Sequence, residues 1–409
     1  MLILEIAILL CISVIFLIKI DKNQYLFIIL FLALLIRIVF IIIDLYLFNI
    51  PFNSLDSNTY ELKANQWSRY GYKYAIENFF IEGKSFFYSN FLSIIYSFFG
   101  RSIFLSKLLS TIVSLISIFI TFKILQLVWG KGKYMYYSLI ILSFAPIFVL
   151  ISTFTLREIY SVFFMLSAIY SYFLYEKNNK IVFFYLSLIL SLSHIFIHGP
   201  MTLIFFSFVT IFYISNIYKL SKKIYISLDG FIFTNLLFLV GIFLLNFLNI
   251  IPSIPYLGSI YNAFNTLEIV QDIFINTAYG RTAYSKLLYP ESYLSLVLLS
   301  PVRIINFFCG PFYINNLYEI FSIFDSILYF FLILILLINF KKIFFNNKVF
   351  SIFIISFPII LIYAWGVNNY GTALRHKTKF LPIIIIFCGP FLMFYIENSF
   401  NLIKKLIKF

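Results

Sequence analysis

Tyr25–Phe48 reads YLFIILFLALLIRIVFIIIDLYLF, twenty-four residues whose only charges are Arg37 and Asp44. A helix needs roughly 20 predominantly apolar residues to cross the hydrocarbon core of a bilayer, and this run has that length and polarity. It is too long for a strand, and it lacks the polar face of a surface helix in a water-soluble protein. Similar runs recur at 2–19, 103–128, 134–151, 159–175, 181–198, 201–218, 226–250, 320–340, 349–366 and 380–396. Over all 409 residues, 62% are hydrophobic and 11% are charged. Soluble domains carry about 25% charged residues, so a water-covered globule is excluded. A disordered chain, which needs low hydrophobicity, is excluded as well. An outer-membrane barrel would show short alternating segments in place of these unbroken runs. The reading is an all-α polytopic membrane protein with about 11 transmembrane helices.

Charge sets the expected topology. Lys19/Lys22, Lys131/Lys133, Lys177/Lys180, Lys219/Lys222/Lys223, Lys341/Lys342/Lys348 and Lys404/Lys405/Lys408 fall between or after the runs. Cytoplasmic loops collect Lys and Arg. Placing all six clusters inside closes the crossings, with the amino terminus outside and the carboxyl terminus cytoplasmic. The net charge of +14 is then topological, and no nucleic-acid partner is read from it. The first segment has no basic residue before Lys19 and no small-residue cleavage site, so it is expected to be a retained helix in the cytoplasmic membrane. Residues 86–100 and 293–313 fit as interfacial or re-entrant elements. Residues 1–409 form a single membrane domain with outer-face loop elements at 49–102 and 251–319 and a short outer loop at 367–379. Cys11, Cys309 and Cys388 are scattered in apolar segments, which implies neither a disulfide framework nor metal spacing.

The arginines sort differently from the lysines. Arg69, Arg101, Arg157, Arg281, Arg303 and Arg375 all fall on the expected outer side, as do His194, His198 and His376. Arg grips phosphate or carboxylate bidentately, where Lys acts as a point charge. A collection of Arg opposing the positive-inside bias points to an anionic ligand at the outer surface. Snorkelling, or pairing with acids of the same face, is the structural alternative.

Four stretches carry candidate chemistry. Asp56-Ser-Asn-Thr-Tyr60 follows a span directly. Asp56 can serve as a general base, or Asp56 or Ser57 can be an N-cap. Arg157-Glu158 opens a helix, either as a structural pair or as a phosphate contact beside a second carboxylate. His194 and His198 share a helical face; without a convincing third ligand they suit glycan or phosphate contacts better than a metal. Tyr284 follows Arg281 in the second long loop, with Arg303 further on, in a stretch suited to sugar stacking and a phosphate clamp. Arg375, His376, Lys377 and Lys379 gather four potential cations at a helix entrance, where anions are favoured. Arg37 and Asp44 lie two turns apart and can pair with each other or with Asp325. No nucleotide fingerprint or phosphate-cradling Gly loop is present, and no cofactor or metal is read.

These stretches together resemble the C-type superfamily of membrane glycosyltransferases, which includes protein O-mannosyltransferases and, by fold, O-antigen polymerases and ligases. The resemblance rests on Asp56-x-x-x-Tyr60-x-x-x-Ala64, Phe87–Gly100, Leu156-Arg157-Glu158 and Gly371-Thr-Ala-Leu-Arg375-His376, spanning about residues 40–390. It implies sugar transfer from a polyprenyl (di)phosphate donor to a glycan acceptor outside the membrane. Asp56 and Glu158 become the catalytic carboxylates. Lys84, Arg157, Arg281, Arg303, Arg375, His376, Lys377 and Lys379 become phosphate contacts, and Tyr60, His194, His198 and Tyr284 glycan contacts. Polymerisation of a surface-polysaccharide repeat unit, with polysaccharide-assembly proteins as partners, is favoured slightly over single-sugar transfer to lipid or protein. A lipid-linked oligosaccharide flippase is the competing class.

Overall fold

A computed structural model describes residues 23–50, 55–77, 86–197, 201, 203–211, 282–290, 292–311 and 320–407. Among them the secondary structure is helical, and strand-type pairing is confined to one antiparallel bridge, Ala283 with Asn369. Six described helical segments are long and apolar enough to cross a membrane: Gln24–Leu47, Ile103–Trp129, Glu158–Asn178, Ile320–Ile338, Asn347–Gly366 and Tyr370–Glu397. A bent pair, Tyr134–Phe144 with Pro146–Thr153, makes a seventh if taken as one span. The expected segments 2–19 and 226–250, and residues 202 and 212–218 of the expected 201–218, lie outside the described residues.

The chain divides into two compact units. The first comprises Met1–Leu166, Leu332–Asn339 and Ile384–Phe409. Its first helix, α1 (Gln24–Ile42), starts where the Asn23 side chain accepts the Leu26 N–H, satisfying one orphan donor of the first turn. Leu26, Ile29, Leu30, Ala33, Leu34, Arg37 and Ile41 are buried on one face, while Ile28, Leu32, Leu35, Val39 and Ile42 are exposed. A helix apolar on both its packed and its open face belongs in lipid. The helix ends in a π turn, Ile43–Leu47. There the buried Asp44 carboxylate accepts the Ile50 N–H at 2.7 Å and pairs with Lys107.

Helices α2 (Leu55–Ser68), α3 (Gly71–Glu77) and α4 (Phe87–Phe99) form a packed group, α4 lying against both others. The turn between α2 and α3 places Gly71 at φ +85°, a region that favours glycine. The 13 residues of α4 fall short of the roughly 20 needed to span. Helix α5 (Ile103–Trp129) is capped by the Ser102 side chain. Its buried face carries Ser106, Ser110, Thr111, Ser114, Ser117 and Thr121. Such small residues let helices approach closely in a membrane, and most of these hydroxyls return a hydrogen bond to their own helix. Helix α1 packs on α5 and on the two helices that follow, α6 (Tyr134–Phe144) and α7 (Pro146–Thr153).

Residues 134–151 were expected as one span, but α6 and α7 meet at Ala145 with a 57° bend. Pro146 is the first residue of α7; it lacks an N–H and crowds the preceding turn, which breaks the helix. Helix α8 (Glu158–Asn178) follows, with Glu158 in its first turn.

The second unit comprises Ser167–Phe331 and Phe340–Ile383. The expected span 181–198 is divided at Ser193 into α9 (Ile181–Leu192) and a short α10 (His194–Ile197). Helix α11 (Tyr293–Cys309) begins with a reciprocal Ser292/Ser295 capping box and carries Pro301 in its interior. Further helices are α12 (Ile320–Ile338), which belongs to this unit up to Phe331, α13 (Phe340–Phe344), α14 (Asn347–Gly366), α15 (Tyr370–Lys377) and α16 (Leu381–Ile407), which belongs to the first unit from Ile384 on. Helix α11 packs on α14 and α15. Residues 370–377, expected within a short loop, form α15 because the Asn369 side chain caps them by accepting the Gly371 N–H.

Candidate functional site

In the first unit, the acidic loop and the Arg157-Glu158 pair come together. Helix α2 begins at Leu55, so neither Asp56 nor Ser57 is its N-cap. Asp56 is an exposed acid in the first turn, where a negative charge is favourable. Tyr60, one turn on, is buried. The Arg157 guanidinium carbon lies 5.6 Å from the Tyr60 ring centroid, a cation–π distance. Arg157 is half-buried, and Glu158 beside it is buried.

An aromatic wall continues from Tyr60. Tyr88 meets it edge-on at 5.7 Å, and Tyr160 lies 5.0 Å from Tyr88. The Tyr88 hydroxyl is within 3.4 Å of Ser110 Oγ. Burial first, and the neighbouring Tyr160 second, push the Tyr88 phenol well above its ordinary pKa, so it stays protonated and can donate. Glu61 accepts from Arg101 at both oxygens, each at 2.8 Å, the bidentate geometry that Arg favours. That hydrogen bond to Glu61 raises the Arg101 pKa. The pair fastens the start of α5 to α2, one residue from Tyr60. The group presents a half-buried guanidinium and phenolic faces, with the buried Glu158 next to Arg157 in sequence and the exposed Asp56 one turn before Tyr60. It has the chemistry to hold a sugar against an aromatic wall and to contact an anionic leaving group.

In the second unit, several expected phosphate contacts turn inward. Arg303 is fully buried. Its guanidinium donates to the carbonyls of Ala364 at 2.9 Å, Leu288 at 2.5 Å, Trp365 at 2.8 Å and Val367 at 3.0 Å, and to Asn368 Oδ1 at 2.7 Å. It ties the end of α14 to residues 282–290. The same two segments share the Tyr284 N–H to Asn368 O and Tyr370 N–H to Thr282 O bonds. Tyr284 is buried between Arg303 and Tyr370, its ring 4.6 Å from that of Tyr370. Burial, then Tyr370, raises its phenol pKa.

The four-cation run splits in two. Arg375 and His376 are half-buried, whereas Lys377 and Lys379 are fully buried. Lys377 Nζ lies 3.0 Å from Asp325 Oδ2 and donates to Phe308 O at 2.9 Å and Gly310 O at 3.2 Å. Lys379 donates to the Tyr363 hydroxyl at 3.0 Å, and its Nζ lies 3.0 Å from His376 Nδ1. His194 is buried, with Nδ1 3.1 Å from Ser191 O. Lys84, Arg281 and His198 lie outside the described residues.

Two features of the first unit escaped the sequence reading. Asp44 has Lys107 as its ion-pair partner, and Arg37 reaches Ser152, Ser143 O and Ala33 O. The available signal was arithmetic: a lone acid and lone bases in apolar runs must find partners at membrane depth. The sequence does not say which ones.

The fold and its exposed apolar helices define a multi-pass helical membrane protein in contact with a lipid bilayer. No protein-family model, no curated protein and no solved structure matches the chain.

Proposed function

We propose that the protein is an integral-membrane glycosyltransferase of bacterial surface-polysaccharide assembly. It moves a sugar or an oligosaccharide repeat from a polyprenyl (di)phosphate donor to a glycan acceptor on the outer side of the cytoplasmic membrane. Block polymerisation is preferred over single-sugar transfer. The observation that carries this reading is the meeting of Arg157 with Tyr60, 97 positions apart in the chain; Glu158 is the neighbour of Arg157 in sequence, and Asp56 lies one turn before Tyr60 on α2. Asp56 is the group open to an acceptor hydroxyl. Arg157 is the group that stabilises charge on the departing phosphate in this proposal, where a fixed donor is worth most.

The test is transfer by purified protein in liposomes, supplied with polyprenyl-diphosphate-linked glycan and acceptor. Wild type extends the glycan; Asp56→Asn and Arg157→Ala do not, at equal protein level. Wild-type extension by both variants overturns the proposal. A second reading, translocation of a lipid-linked oligosaccharide, is favoured by the 57° break between α6 and α7, since transporters use discontinuous helices. Translocation without transfer in the same liposomes would establish it.

A further inference from the structure

Arg37 stands apart from the other buried cations of the first unit. Lys107 has the Asp44 carboxylate. Arg37 is fully buried in the middle of a span, and its partners are neutral: Nε donates to Ser152 Oγ at 2.8 Å, and Nη1 to Ala33 O at 2.9 Å and Ser143 O at 3.1 Å. The guanidinium also lies 5.8 Å from the Phe148 ring centroid. Among the described residues Nη2 has no hydrogen-bond partner, and neither has the buried Ser143 Oγ.

These donors sit at the break of the 134–153 span. Ser143 belongs to the last turn of α6, while Phe148 and Ser152 belong to α7, so Arg37 touches both halves. Helix α7 starts buried and has no side-chain cap. Pro146 has no N–H and the Val149 N–H bonds to Ala145 O, which leaves the Ile147 and Phe148 N–H groups without an acceptor within the helix, where its dipole places partial positive charge. The carbonyl end of α6 accounts for one Nη1 bond and leaves Nη2 unanswered. A buried formal charge needs a counter-charge, and the acceptors that Arg37 meets, Ser152 Oγ, Ala33 O and Ser143 O, are all neutral.

We infer that the α6–α7 break is an intramembrane site for a small inorganic anion of the size of chloride, held by Arg37 Nη2, Ser143 Oγ and the first turn of α7. The complete burial of Arg37, Ser143, Phe148 and Ser152 closes it to a sugar phosphate or a lipid headgroup. The inference does not depend on the glycan reaction and is read without it.

The experiment uses the purified full-length chain in detergent, with chloride exchanged for gluconate at constant ionic strength and thermal unfolding followed as chloride is restored. A ligand bound only by the folded state raises the unfolding temperature saturably. Wild type gains stability with chloride, and bromide substitutes for it. Arg37→Gln loses the chloride dependence, a readout that a purely structural arginine would not move. Ser143→Ala removes one donor with little change in volume and raises the half-saturating chloride concentration about 10-fold, equivalent to about 1.4 kcal/mol. If Arg37→Gln fails to fold, Ser143→Ala decides. A wild type indifferent to chloride, or a Ser143→Ala midpoint equal to that of wild type, overturns the inference.

Discussion

Lys377 Nζ lies 3.0 Å from Asp325 Oδ2, both side chains are buried, and the pair is completed by two backbone carbonyls of the α11 end. It joins α12 to the junction of α15 and α16 within the second unit. Breaking a buried pair from one side leaves an uncompensated charge, at about 3–5 kcal/mol, whereas replacing both members with apolar residues of similar volume is often neutral. Asp325→Leu alone is expected to lower the thermal unfolding temperature of the purified protein sharply. Asp325→Leu combined with Lys377→Met is expected to recover most of the loss. Additive destabilisation in the double variant would show that the two residues do not act as a pair.

Arg303 makes a different prediction because its partners are carbonyls. Lysine keeps the charge but not the planar fork, so Arg303→Lys should release the 282–290 segment from residues 364–370. The Tyr284 and Tyr370 amides, which bond across this junction, are expected to lose hydrogen-exchange protection together. Amides in α5, which belongs to the other unit, should be unchanged. Retained protection at Tyr284 and Tyr370 in Arg303→Lys would deny the clamp.

The helices were largely legible because bilayer thickness dictates their length: 103–128 and 349–366 differ from Ile103–Trp129 and Asn347–Gly366 by no more than two residues at either end. The prolines were not. Pro301, Pro358 and Pro390 lie inside helices, while Pro146 ends one. Whether a proline breaks a span depends on what re-satisfies the freed backbone. At Ser143 O that is Arg37, 106 positions away. The candidate site divided in the same way. The Arg157-Glu158 opening of α8 was readable as local chemistry, and its meeting with Tyr60 was not. In the Arg375–Lys379 run, the turning inward of Lys377 depends on Asp325, which local spacing does not contain.

Arg157 and Tyr60 define the third prediction. If the guanidinium contacts a leaving phosphate while lying over the ring, Arg157→Lys should retain part of the transfer rate and Arg157→Ala essentially none. Removing one preorganised donor in such a site lowers kcat by about 100- to 1,000-fold. Tyr60→Phe keeps the ring and should retain near-wild-type transfer. Tyr60→Ala should raise KM for the glycan. An Arg157→Ala protein that transfers at the wild-type rate would remove Arg157 from the reaction.

The proposed orientation rests on the sorting of Lys and Arg, and it is testable one residue at a time. The exposed Arg69–Tyr70 turn and Lys73 of α3 belong to the outer cap in the proposed topology, whereas the loop carrying Lys131 and Lys133 faces the cytoplasm. In a chain with Cys11, Cys309 and Cys388 replaced by serine, a single cysteine at Tyr70 should react with a membrane-impermeant maleimide in intact spheroplasts. A single cysteine at Lys131 should react only after the membrane is opened. The reverse pattern would put Asp56 and Arg157 on the cytoplasmic side, where a polyprenyl-linked donor awaiting polymerisation outside would not reach them. Labelling therefore tests both the topology and the sidedness on which the proposed reaction depends.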